Sequence, residues 1–532
     1  MSDGEKILKK KIAQLIIARL DGKEINKKFN YYQSLVKKGI GGFIVFGGKF
    51  KDVKRAVKKL QDTAEIPLFI ASDLERGLGQ QIEGGTVFPP AMAIANAVNQ
   101  KNKTDIALLR KSISIIAQEA KAVGINVIFS PVVDVNTNPK NPIICTRAFS
   151  DNPEKVAWFG NEFIKGLQKH GLVACAKHFP GHGDTSRDSH RELPVVKAKM
   201  NRLLKVELKP FAGAVKAGVK MIMLGHLKVP FIDSKFPSSL SEKTIEGLLK
   251  TKMGFKGLVI TDAMNMHAIK FREENACLMA LNAGADIILH PSNPEDAIDY
   301  LVSRWKEISP KVEKSYRKII GAKKELYKVS DSRFTIHGSR FTVHGIGKKS
   351  SEDLSYKLTK KAIKINLYSK IPLNPAFTKG KIFNPFNPPL AKGGKGGFGE
   401  LIILIIDDDN NKSGKPFVNT LKKKHKELRA FYVDNKTISS KNPPIPPLTK
   451  GGKGGFFIIA VFSKVSAWKG RSGLSEGLKT ILKTAVRNSK YSLIVGFCCP
   501  YFLSGFKANA VIEAYSDSEL AQRAVAEILF CP

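Results

Sequence analysis

A chain of 532 residues, 43% of them hydrophobic, is long enough for two or three domains with real cores. Its 87 Lys and Arg against 47 Asp and Glu leave a net charge of +40, which raises the question of a polyanionic partner. No zinc-finger spacing, RNP motif or sustained basic amphipathic stretch goes with that charge, so a general surface bias is expected and nucleic acid is not expected as a partner.

In chain order, MSDGEKILKKKIAQLIIARLDG sets a basic stretch before a short apolar one that Gln14 and Arg19 interrupt. No small-residue cleavage site follows, so an amphipathic first helix is expected rather than a signal peptide. No apolar run approaches the ~20 residues of a membrane span, and a cytoplasmic protein without an integral membrane segment is the expectation. From about residue 5 to 330, short runs rich in Ile, Val and Leu predict strands at 42–46, 68–72, 127–131, 172–176, 221–224, 257–261 and 286–289. They do not alternate strictly, as parallel strands buried on both faces should not. Amphipathic segments such as 106–123 and 153–170 lie between them. The rhythm predicts an N-terminal TIM-type (β/α)8 barrel over 1–330, with a doubly wound sheet as the rival. Polar residues follow nearly every strand run: Asp73 and Glu75, Asp134, Lys177 and His178, His226, Asp262, and His290. That favours the barrel, which gathers all its strand C-termini on one face, whereas an open sheet collects ligands at one switch point.

Composition changes near residue 330. SRFTIHG at 332–338 repeats at once as SRFTVHG at 339–345, and 331–350 is expected to be a linker. PPLAKGGKGGF at 388–398 returns as PPLTKGGKGGF at 446–456. These copies lack the GxxxxGK[ST] spacing of a phosphate loop, so the segments around 384–399 and 442–456 are expected to be exposed inserts without a catalytic role. Strand-like runs at 401–406, 456–462 and 491–497, with helices at 475–487 and 518–529, predict a smaller C-terminal α/β sandwich domain over 351–532. The six cysteines, Cys145, Cys175, Cys277, Cys498, Cys499 and Cys531, show no CxxC spacing and are expected to be reduced, buried thiols.

The chemistry concentrates in KHFPGHGDTSRDSH, residues 177–190. Pro180, Gly181 and Gly183 break regular structure, so this segment is expected to be a loop leaving a buried strand. Asp188-Ser189-His190 offers an acid/base unit: an imidazole exchanges protons near neutral pH and a neighbouring carboxylate can orient it. Asp262 follows the strand run at 257–261. Alone it could as well be a helix N-cap; beside the histidine loop and Asp73 it becomes a candidate nucleophile. His178 and His182 also raise a metal site, but Pro180 and Gly181 keep them off one helical face, and no metal or other cofactor is expected.

The segments KHFPGHGDTSRDSH, LVITDAMNM and Asp73-Leu74-Glu75-Arg76-Gly77 with Val87-Phe88-Pro89 resemble glycoside hydrolase family 3, most closely the β-N-acetylhexosaminidases of the NagZ type. The resemblance covers residues 5–330 and continues, as in two-domain members, at Pro500-Tyr501 and Ala514-Tyr515-Ser516-Asp517. It implies a retaining exo-β-N-acetylglucosaminidase that hydrolyses terminal β-linked GlcNAc. Asp262 would be the nucleophile and His190, paired with Asp188, the acid/base. Asp73, Arg147, Lys177, His178 and His226 would bind sugar hydroxyls, with Glu75 supporting the pocket. A surface ion pair for Arg147 and a core position for His226 are the alternatives. The substrate would be a β-GlcNAc-containing saccharide or muropeptide, and the setting recycling of peptidoglycan fragments. The chain departs from the pattern at Gln81, where many single-domain relatives have arginine, and at Ala263, where a second acid often follows the nucleophile. Phosphorolysis, β-glucosidase activity and a non-catalytic carbohydrate-binding role are the rival readings.

Overall fold

Runs of Ile, Val, Leu and Phe without polar alternation can leave neither face in water, so they fold as an inner sheet with helices outside. The computed structural model of the chain describes residues 3–189, 191–327, 346–368, 402–409, 413–423, 428–438, 456–466, 469–489 and 491–530. The first eight strands are β1 (Ile16–Asp21), β2 (Gly42–Phe46), β3 (Phe69–Ser72), β4 (Val127–Ile128), β5 (Val173–Phe179), β6 (Met221–Leu224), β7 (Leu258–Ala263) and β8 (Ile287–Leu289). They pair in that order, all parallel, and β8 returns to β1 to close a barrel. Every residue of β3, β4, β5, β6 and β8 is buried.

One boundary differs from expectation. The strand preceding the histidine loop does not stop before Lys177 but runs through Phe179. Lys177 N donates to Pro131 O and Val133 N donates to Lys177 O, and Gly225 N after β6 donates to Phe179 O, so neighbours on both sides keep the backbone extended to Phe179.

The helices between strands start where the chain supplies a cap. Asn102 Oδ1 accepts from the Thr104 and Asp105 amides to open Lys103–Val123, which ends on Gly124 at φ 92°, a left-handed position that glycine adopts without strain. Pro153–Lys169 and Pro294–Ser303 each begin with an Asn cap and a Pro at the first helical position. At the opposite end of the barrel from the strand C-termini, Lys323 of the helix Trp305–Tyr327 is wholly buried. Its Nζ donates to Gln14 Oε1 (2.7 Å) and Gly41 O (2.8 Å) and lies 4.9 Å from the centre of the Phe69 ring. Burial holds its pKa well below the ordinary lysine value.

The chain divides into two compact units: Met1–Ala91, Lys101–Asn138 and Arg147–Leu354 form one, and Met92–Gln100, Pro139–Thr146 and Ser355–Pro532 the other. The second is built on β9 (Lys364–Leu367), β10 (Ile402–Asp407), β11 (Arg429–Asp434), β12 (Phe456–Phe462), β13 (Tyr491–Phe497) and β14 (Ala510–Glu513). Their order is β11-β10-β12-β13-β14-β9, with β9 the one antiparallel edge. Along β10, Ile403 and Ile405 enter one hydrophobic core with Phe417 and Leu421, while Leu404 and Ile406 enter another with Leu478 and Leu482. Alternation along the strand thus feeds a core on each face, the expected α/β sandwich. No helix among the described residues is long and apolar enough to cross a membrane.

The expectation of reduced thiols fails for two of the six cysteines. Cys145 and Cys499, both in the second unit, form a disulfide across 354 residues of sequence, with their Cα atoms 6.3 Å apart. No local spacing rule can reveal such a pair. Cys175, Cys277 and Cys498 are unbridged and buried. Cys531, the SRFT(I/V)HG repeats, the first PPLAKGGKGGF copy and all but the last residue of the second lie outside the described residues.

Candidate active site

Closing eight parallel strands places their C-terminal ends on one rim. Asp73 follows β3, Asp134 and Arg147 follow β4, Lys177 and His178 end β5, His226 follows β6, Asp262 lies in β7 and His290 follows β8.

The centre of this group is charged and buried. Lys177, only 2% exposed, places Nζ 2.6 Å from Asp73 Oδ1 and 2.8 Å from Glu75 Oε1. Arg147 grips Glu75 through two parallel bonds, Nε to Oε2 at 2.9 Å and Nη2 to Oε1 at 2.7 Å. Burial alone would raise the Glu75 pKa, but Arg147 and Lys177 outweigh it and hold the carboxyl well below the usual range. Burial would likewise weaken the charge on Lys177, yet Asp73 and Glu75 push its pKa above the ordinary value. Glu75 therefore ties the two cations together, and Asp73 is left partly exposed beside Lys177.

A second buried network adjoins it. Asp134 is wholly buried and accepts from His178 Nδ1 (2.7 Å), from the His178 amide (3.2 Å) and from the His182 amide (2.7 Å). A carboxylate can only accept there, which assigns the proton to Nδ1 of His178. Among the described residues no hydrogen bond takes up His178 Nε2, the nitrogen that remains for a ligand. Burial would raise the Asp134 pKa, but His178 and His182 keep it below its ordinary value.

Asp262 is half-buried, and its Oδ1 accepts from the amide of Ala263. The β7 backbone around it is locked to β8: Leu289 N donates to Thr261 Oγ1 and Met264 N donates to Leu289 O. His226 is completely buried, with Nε2 3.0 Å from Ala263 O and Nδ1 2.7 Å from Ser239 Oγ. A carbonyl only accepts, so Nε2 carries the proton and Ser239 donates to Nδ1. This geometry makes His226 a brace for the residue after Asp262. Asp188 is buried, and its carbonyl accepts from the amides of Arg191 and Glu192. His190 lies outside the described residues. His290, at φ 48°, is buried, its Nδ1 has no hydrogen-bond partner among the described residues, and its ring lies 6.2 Å from that of Phe46. Gln81, one of the two departures, accepts from the amide of Gly47. No group of three His, Cys, Asp or Glu among the described residues is arranged to hold a metal ion.

The structure thus joins Asp73, Arg147, Lys177 and His178 through two carboxylates whose part in the site was not foreseen in full. Glu75 was expected as a support; Asp134 stood out only as a polar residue after a strand. The signal for both was position, a carboxylate just past a barrel strand, and nothing in the sequence named their partners.

The family model for the glycosyl hydrolase family 3 N terminal domain matches residues 7–322, and the chain belongs to that family. Beta-hexosaminidase A of Pseudoalteromonas piscicida is 35% identical over 276 residues, 47% of this chain and 46% of that protein. The beta-N-acetylglucosaminidase/beta-glucosidase of Cellulomonas fimi is 32% identical over 279 residues, 49% of this chain and 48% of that protein. The matched region spans under half the length of these two curated relatives. Among solved structures, a glycoside hydrolase family 3 beta-N-acetylglucosaminidase from Paenibacillus sp. str. FPU-7 superposes with a TM-score of 0.78 at 25% identity, over 98% of this chain and 96% of that one.

Proposed function

We propose that this chain is a retaining exo-β-N-acetylhexosaminidase acting on terminal β-linked GlcNAc. The observation that carries the reading is the rim itself: a carboxylate at the end of β7 shares it with the buried Lys177–Asp73–Glu75–Arg147 network. The partly exposed Asp73 and the lysine beside it suit a pair of neighbouring sugar hydroxyls, since one accepts and the other donates. His178 Nε2 supplies a further acceptor. Asp262 attacks the anomeric carbon while His190, oriented by Asp188, protonates the leaving oxygen; the neutral imidazole then takes a proton from water as the glycosyl-aspartate is hydrolysed.

The natural substrate we favour is a GlcNAc-containing fragment of peptidoglycan, as the resemblance to the NagZ-type branch implies; the beta-hexosaminidase names of the relatives support the hexosaminide and go no further. A cytoplasmic setting, expected from sequence, sits poorly with the Cys145–Cys499 bridge, because disulfides persist in oxidising compartments. The deciding experiment is turnover of nitrophenyl β-GlcNAc and nitrophenyl β-glucoside, each with and without phosphate. Release of GlcNAc with retained β configuration supports the reading. Preference for the glucoside, or a sugar 1-phosphate as product, replaces it with a β-glucosidase or a phosphorylase.

A further inference from the structure

The segment 182–189 must present the acid/base unit, yet Gly183 and the short polar residues after it give it little intrinsic stiffness. Its first half is pinned to the segment leaving β4. Gly183 lies so close to that segment that a Cβ there would stand 1.8 Å from Val135 O, and Gly183 O accepts from the Asn138 amide. Asp184 accepts from Thr137 Oγ1 and pairs with Arg202. His182 sits inside this pinned half, its amide on Asp134, and its ring points along the loop. Nδ1 is 2.8 Å from Thr185 Oγ1, and Nε2 is 3.1 Å from Ser189 Oγ.

We propose that His182 is a positioning residue for acid–base catalysis: its ring ties Ser189, the residue between Asp188 and His190, to the same Asp134 carboxylate that orients His178. This rests on the glycosidase reading above. A neutral imidazole has one N–H and one lone pair, and each hydroxyl can donate or accept, so either tautomer satisfies both contacts. Burial keeps the ring in that neutral form, with a pKa lowered to about 4. Asp134 thereby links the two ends of the motif, so the sugar-facing His178 and the residue beside His190 hang from one fixed carboxylate.

The test separates protonation of the leaving group from everything else. kcat/KM reports the first chemical step, in which nitrophenol leaves with little help and a sugar needs a proton. His182→Ala should lower kcat/KM on N,N′-diacetylchitobiose by about tenfold, part of what a general acid supplies, and on nitrophenyl β-GlcNAc by less than about threefold. Ser189→Ala should act in the same direction, and the double variant should lose no more than the worse single one, because both remove one contact. His182→Gln, which keeps a polar group near the Nε2 position, should recover most of the loss; His182→Asn, which keeps one near Nδ1, should not. Equal losses on both substrates, or no rescue by Gln, overturn the proposal. If His182→Ala does not fold, Ser189→Ala decides alone, and wild-type behaviour there is equally fatal. A wild-type enzyme that cleaves neither substrate defeats the glycosidase reading itself, and the clamp with it.

Discussion

Lys177 Nζ stands 2.6 Å from Asp73 Oδ1, although the two residues are 104 positions apart, one just past β3 and the other near the end of β5. The ammonium is nearly sealed from water while the carboxyl is open on one side, so the pair sets a fixed donor next to an exposed acceptor, which is what the proposed sugar site uses.

Removing the carboxylate behind that lysine exposes its contribution. Glu75→Gln leaves Arg147 and Lys177 facing an amide, and a broken buried ion pair costs about 3–5 kcal/mol. The sign with pH follows from the depressed Glu75 pKa. The contribution is full above the unfolded glutamate pKa of about 4.3 and fades as pH falls below it, because the unfolded chain takes up the proton first. Urea unfolding of wild type and variant between pH 6 and pH 3 should show the gap narrowing toward acid; a gap independent of pH counts against an ionised Glu75.

Asp262→Asn keeps shape and removes charge. Turnover should fall at least about ten-thousandfold on any leaving group, as when other enzymes lose a nucleophile. Near-normal rates would transfer the nucleophilic role to another residue. The midpoint of thermal unfolding should move little, since the contact from Ala263 N to Asp262 Oδ1 can be kept by an amide oxygen.

Lys323→Met tests the lower end of the barrel. It strips the donor from Gln14 Oε1, a loss of about 1–3 kcal/mol. The folded chain favours the uncharged amine, whereas the unfolded chain holds the proton up to about pH 10.4, so the unfolded state binds more protons and wild-type stability rises with pH in that window. The advantage of wild type over the variant should grow between pH 7 and pH 10. A gap that shrinks would mean the buried lysine is charged.

The Cys145–Cys499 bridge should appear as one cross-linked peptide in a non-reducing digest, with Cys498 alkylated only after unfolding. Cys145→Ser should lower stability by about 2–4 kcal/mol, and reducing the wild type should reproduce that loss. Recovery of free Cys145 from native protein made under oxidising conditions would remove the bridge from this account.

Most of the barrel was readable in advance. The strand runs at 42–46 and 221–224 and the amphipathic segments near 106–123 and 153–170 match observed elements, because buried parallel strands and capped helices advertise themselves over a few residues. The end of β5 lies beyond the apolar run, since Lys177 pairs with the segment after β4 and Phe179 with Leu224 of β6, partners more than 40 positions away in sequence.

What the sequence by itself determined is the set of chemical groups and their seats just past the strands: Asp73, Lys177, His178 and Asp262 follow or end apolar runs that can form strands. What only the tertiary structure decided is who holds whom. The grip of Arg147 on Glu75, the sharing of Asp134 by two histidines, the bracing of Ala263 by His226 and the joining of Cys145 to Cys499 are all contacts between remote segments. The physical reason is range: periodicity and caps act over one or two turns of chain, whereas hydrogen bonds and ion pairs are settled by distances of about 3 Å that exist once the barrel has closed.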